Sequence, residues 1–219
     1  MRSLAQPEVL KSAVAAAFCS CLACYPRLLL WPSRPYFLWY LQALLFLCGI
    51  VLWAFVFAWF PKYSHRPVFT LRVALGPFVS VTLAAVAIAL ALHSWLDPAL
   101  RLRVPEEFPH TLAQWSAIVL FALAYTQLYL IFAAFSWFLR LFQNITMATV
   151  LTVLFGLFVL LVKNHASPIP LSWPLLLGLV LSRVILAALS VYCFLRGGVL
   201  LAWWFGLLIQ VRHLWTLDS

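Results

Sequence analysis

Ser172–Leu195 reads SWPLLLGLVLSRVILAALSVYCFL, and this stretch decides the architecture. As a helix it extends roughly 36 Å at 1.5 Å per residue, enough to cross the ~30 Å hydrocarbon core of a bilayer. It has to be a helix there, because no water is present to satisfy backbone N–H and C=O groups. Barrel strands are about 10 residues long with alternating polarity, and this run neither alternates nor ends so soon. Its one charge is Arg183, near the middle.

Five further runs resemble it: Phe37–Phe60, Val73–Trp95, Trp115–Leu139, Thr146–Val162 and Gly198–Trp215. The chain is 66% hydrophobic and 9% charged, a balance that would make a soluble domain aggregate. Trp and Tyr gather near run ends (Trp39, Tyr40, Trp59, Trp95, Trp115, Trp137, Trp173, Trp215), as in an interfacial belt. The expected fold is therefore all-α: a polytopic membrane helix bundle of six transmembrane helices over residues 37–219. The last three are joined by tight links and should pack as antiparallel neighbours, with Gly197-Gly198 as the break between the fifth and sixth.

Residues 1–36 read differently. Leu10–Tyr25 is apolar but short, Pro26 and Arg27 interrupt it, and Pro32 and Pro35 follow. Arg2 and Lys11 ahead of a short apolar stretch also fit a signal peptide, but no small-x-small cleavage site follows. An interfacial or re-entrant N-terminal segment is the expectation.

The net charge of +9 would suggest nucleic acid in a soluble protein. Here the basic residues flank apolar runs, so anionic lipid headgroups and topology explain them and no nucleic-acid partner is expected. Six spans put Arg2, Lys11, Arg27, Arg34, Arg101, Arg103, Lys163 and Arg212 on one face against Lys62, Arg66, Arg72, Arg140 and Arg196. That excess places both termini in the cytoplasm, of a bacterial inner membrane by expectation.

Motifs for common chemistries are missing. There is no G-x-S-x-G, no H-E-x-x-H, no aspartate-rich diphosphate motif and no Gly-rich phosphate loop. Cys19, Cys21 and Cys24 form C-x-C-x-x-C in an apolar segment without a further ligand at metal spacing, so they read as buried thiols or a palmitoylated cluster. No metal and no cofactor is expected. Glu106-Glu107, between Pro105 and Pro109, reads as a solvated loop or the start of span three.

The C-terminal half resembles the CAAX-protease and bacteriocin-processing (CPBP) family of intramembrane proteases. That family carries E-E-x-x-x-R, then F-x-x-x-H, then H-x-x-x-N or H-x-x-x-D. Tyr125-Thr126-Gln127-Leu128-Tyr129-Leu130-Ile131 falls at the first motif, Leu161-Val162-Lys163-Asn164-His165 at the second and Gly206-Leu207-Leu208-Ile209-Gln210 at the third. Phe194-Leu195-Arg196-Gly197-Gly198 resembles the turn before the family's last helix. The resemblance implies a membrane helical core. Its catalytic residues do not carry over: Thr126 and Gln127 stand for the glutamates, Ile131 for the arginine and Gly206 for the last histidine, leaving His165 alone. A glutamine can orient water but cannot take its proton.

Four residues are candidates for holding a partner or lipid: Arg183, Gln127, Gln210 and His165. Gln127 could equally hydrogen-bond a neighbouring helix, for about 1 kcal/mol. His165 and His93 sit at run ends as interfacial histidines would, and Arg212 and His213 are placed to reach headgroups. Arg183 costs about 2.5–3.5 kcal/mol to insert, and no acid lies in any apolar run. It is expected to face a neutral internal network, a partner's carboxylate or lipid phosphate, or to snorkel. The functional expectation is a non-catalytic multi-pass subunit, scaffold or assembly factor of a membrane complex or transport system, partnered by lipid and another membrane protein. The alternative is an intramembrane protease of the CAAX-protease-like family with an atypical site.

Overall fold

The computed structural model describes residues 4, 6–31, 36–104, 108–166 and 171–217. Glu106 and Glu107 lie outside the described residues. The helices are α1 Pro7–Leu29, α2 Leu38–Ser64, α3 Leu75–Arg101, α4 Leu112–Phe142, α5 Ile145–Ala166 and α6 Trp173–Val211, the last followed by a 3-10 turn at Arg212–Thr216. No strand occurs among the described residues. All six helices are long and apolar enough to cross a bilayer. The protein is an all-α, multi-pass integral membrane bundle.

The number six is that read from the sequence, but its membership differs at both ends of the chain. The N-terminal segment carries α1, a continuous helix that runs through Pro26 to Leu29. Pro26 sits in the last turn, where the missing N–H removes one intrahelical bond and does not break the helix. α1 lies antiparallel along α2. Val9 packs with Ala58 and Trp59, Ala17 faces Gly49, and Trp53 Nε1 donates to Ser20 Oγ at 3.0 Å. Gln42 Nε2 donates to the Cys21 carbonyl at 2.6 Å. The buried stripe Val9, Ala13, Ala17, Cys21, Cys24, Leu28 has helical period, and the small side chains in its middle, Ala13 and Ala17, let two helices approach closely in lipid. α1 is thus long and apolar enough to be a further span, packed along a helix of membrane length.

At the other end, α6 is two helices joined at a glycine pair. Gly197 (φ −139°, ψ 15°) and Gly198 (φ 66°, ψ −161°) leave helical conformation. A straight helix would hold Arg183 and Gly206 roughly 34 Å apart, yet both line one cavity. Gly178, near the start of α6, faces Leu96, while Arg212 at its far end bonds Asp97. The chain therefore reverses at the glycine pair, and limbs 173–196 and 199–211 pack antiparallel as a hairpin, where the sequence placed its fifth and sixth runs.

A strap from the α2–α3 connection holds this turn. Val199 N–H donates to the Val68 carbonyl at 2.9 Å, and the Arg66 guanidinium donates to the Leu195 carbonyl. The first bond satisfies a donor at a helix start, the second an acceptor at a helix end, where a cation is also favoured by the helix dipole. Only glycine suits position 198: its φ is left-handed, and a Cβ there would overlap the Val68 carbonyl oxygen.

Lipid tails are as apolar as leucine, so helix association here rests on shape and hydrogen bonds, not on escape from water. The centre is aromatic. Phe194 of α6 stacks on Phe60 of α2 at 4.0 Å and packs tilted on Phe132 of α4 at 4.8 Å, with Trp53 and Phe135 buried beside them.

Candidate functional site

α4 departs from regular geometry where the site forms. It is π-helical at Ala122–Thr126 and again at Leu128–Ala133, with Gln127 between. A π turn carries extra residues and re-aims side chains, and such turns recur at functional sites. The two segments turn Thr126 and Gln127 toward the α6 hairpin, where a cavity of about 130 Å³ opens.

Three of the four candidate residues meet there. Arg183 and Ser190 come from the first limb, Gly206 and Gln210 from the second, and Thr126 and Gln127 from α4. Gly206 is what lets Gln127 in, since a Cβ at 206 would overlap Gln127 Nε2. That Nε2 makes a long bond, 3.4 Å, to the Ala202 carbonyl, and the buried Gln127 Oε1 has no partner. The Gln210 carbonyl accepts from Trp115 Nε1 at 2.9 Å, which pins the second limb to α4. His165, the fourth candidate, is exposed at the end of α5 and does not line the cavity.

Arg183 sits roughly 15 Å along α6 from Trp173, near mid-membrane. Its guanidinium lies against Gly156 of α5: a Cβ at 156 would stand 3.4 Å from Nε and 3.7 Å from an Nη. It makes no hydrogen bond or ion pair among the described residues. The neutral network expected around it is not formed, although Gln127 and Gln210 are both at hand. The side chain turns inward to α5, so it does not snorkel. Among the described residues, no carboxylate, histidine, cysteine or lysine lines the cavity. It offers positive charge and neutral hydrogen-bonding groups.

The sequence reading missed a second polar cluster. Asp97 is 3% exposed, and Arg212 Nε donates to its Oδ2 at 2.9 Å. The same guanidinium donates to the Ile209 carbonyl at 2.7 Å, and His213 is buried alongside, edge-on to Phe108. Arg212 and His213 thus turn into the protein instead of reaching headgroups. The one available sequence signal was an acid at the end of one long span and a base at the end of another. The pair fastens the end of the hairpin to α3.

Of the three described cysteines of the C-x-C-x-x-C motif, Cys21 and Cys24 are buried and Cys19 is exposed. No group of metal-ligating side chains occurs among the described residues. Comparison with known protein families, with curated proteins and with solved structures finds no match.

Proposed function

We propose that this chain is a non-catalytic multi-pass membrane protein that binds another membrane protein through the Arg183 cavity, as a subunit, scaffold or assembly factor of a membrane complex or transport system. The observation that carries this reading is an unpaired guanidinium held at mid-membrane in a cavity that contains no acid. A charge in hydrocarbon is expensive and marks function by default. Its depth favours a carboxylate on a partner's transmembrane helix, because a lipid phosphate would have to be drawn roughly 15 Å below the interface.

One observation favours kinship with the CAAX-protease-like family, without its chemistry. Residues of the first and third motif positions, Thr126 and Gln127 with Gly206 and Gln210, line the same cavity, and Gln127 packs against Gly206. On this reading the chain is a pseudoenzyme whose former catalytic cleft serves for binding. The alternative, an active protease with an atypical site, lacks a general base on the cavity wall.

We also propose a bacterial inner membrane as its location and a revised orientation. With α1 and both α6 limbs as spans the chain crosses seven times, so its two ends lie on opposite faces and cannot both be cytoplasmic. Lys11, Lys62, Arg66, Arg72, Arg140 and Arg196 then share one face and Arg27, Arg101, Arg103, Lys163 and Arg212 the other. The slight excess makes the N-terminal face cytoplasmic.

The test of function is affinity purification in mild detergent followed by mass spectrometry, with wild type and Arg183→Leu side by side. A stable membrane partner present with the wild type and lost with the variant is expected. If the wild type retains no partner, this reading fails.

A further inference from the structure

A second site lies further along α4, between α2, α4 and α5, and shares no lining residue with the Arg183 cavity. Leu52 and Phe55 of α2, Tyr129 and Trp137 of α4 and Phe155 of α5 wall an apolar groove of about 250 Å³, floored by the small side chains of Ala133 and Ala134. It runs toward the end of α4, where the character of the surface changes. The Arg140 guanidinium lies 4.3 Å over the Trp59 ring, and Trp59 packs at 5.4 Å on Trp137. Arg140 is exposed and has no acidic partner among the described residues. Neither the Trp59 nor the Trp137 indole N–H has a hydrogen-bond acceptor there.

The two halves have different chemistry and fixed relative positions. Arg140 is in the last turn of α4 before Phe142, at interface depth. Tyr129 lies three turns deeper, roughly 16 Å along the helix. The outer half holds a cation and two unpartnered donors. Such a set suits phosphate oxygens, and arginine suits phosphate through its planar fork. The inner half is an acyl-chain slot with a small-residue floor. Trp rings at the boundary match the region where glycerol and carbonyl groups sit.

We propose that this groove holds one anionic phospholipid, its phosphate on Arg140 and the two indoles, and one acyl chain along Ala133 and Ala134. A lipid bound this way bridges α2, α4 and α5 and is distinct from the exchanging lipids around the bundle.

Native mass spectrometry of the detergent-purified protein, titrated with phosphatidylglycerol and with phosphatidylcholine of equal chain length, tests this. The wild type should retain one phosphatidylglycerol in preference to phosphatidylcholine. Arg140→Gln should lower that preference about fivefold, the factor associated with one basic residue at an anionic surface. Ala134→Phe should block the slot and lower retention of both lipids. Arg103→Gln, an exposed cation at the other end of the bundle, should change nothing. Equal retention of the two lipids by the wild type, or an Arg140→Gln variant with unchanged preference, would overturn the proposal. Should Ala134→Phe fail to fold, Arg140→Gln decides alone. Inorganic phosphate that competes away the bound lipid would show a headgroup site without the acyl slot and also defeat the proposal.

Discussion

Arg183→Leu separates a cation that is merely tolerated from one that recognises a partner, because the two readings predict opposite signs. Arg183 is near mid-membrane, so its insertion cost is close to the full central value of about 2.5–3.5 kcal/mol, whereas leucine contributes about −0.6. The substitution should therefore ease insertion by about 3–4 kcal/mol. No internal bond is lost in exchange, since the guanidinium makes none among the described residues. Expression and monodispersity should match or exceed the wild type. Partner retention should move the other way. Leaving one half of a buried charge pair unmatched costs about 3–5 kcal/mol, so retention should fall by at least a hundredfold. Arg183→Lys should recover part of it, because an ammonium keeps the charge but not the fork. Gly156→Leu gives an independent check: it fills the space beside the guanidinium while the charge remains, and should also weaken retention. Co-purification measured by quantitative mass spectrometry, with size-exclusion profiles for fold, reads all of this. If Arg183→Leu carries the same partners in the same ratio as the wild type, the cavity is not a recognition site.

Other outcomes follow from particular contacts. Asp97→Ala leaves Arg212 buried and unpaired and should cost about 3–5 kcal/mol in detergent denaturation, while Asp97→Ala with Arg212→Met should recover much of that. Gly198→Ala should destabilise by more than 1 kcal/mol, through both its left-handed φ and its overlap with Val68; Gly76→Ala, with nothing within 4 Å, should be close to neutral. Purified protein should cleave no membrane substrate; cleavage that disappeared in Gln127→Ala would restore the protease alternative. In a background lacking the native cysteines, Leu71→Cys and Leu102→Cys, both at fully exposed positions, should react with an impermeant maleimide from opposite faces; reaction from the same face would break the topology.

Much of the fold was legible because span formation in lipid is local. Each helix satisfies its own backbone, so length and apolarity alone mark α2 to α5, and Gly197-Gly198 marks the reversal in α6. α1 was the exception. Pro26 and Arg27 read as a stop, although a proline in a final turn does little harm, and the buried stripe from Ala13 to Leu28 has meaning only once α2 lies against it. The sequence also singled out Arg183, since a lone charge in an apolar run is costly wherever the helix packs.

What surrounds that charge was beyond the sequence. Gly156 looks like any glycine in an apolar run until the guanidinium lies against it, and Gly206 until Gln127 needs its space. Asp97 and Arg212 are 115 residues apart and meet only because the hairpin returns the chain to the end of α3. Without a hydrophobic force between helices in lipid, their arrangement is decided by shape and by a few hydrogen bonds. Those are properties of pairs of surfaces, and no single stretch of sequence contains them.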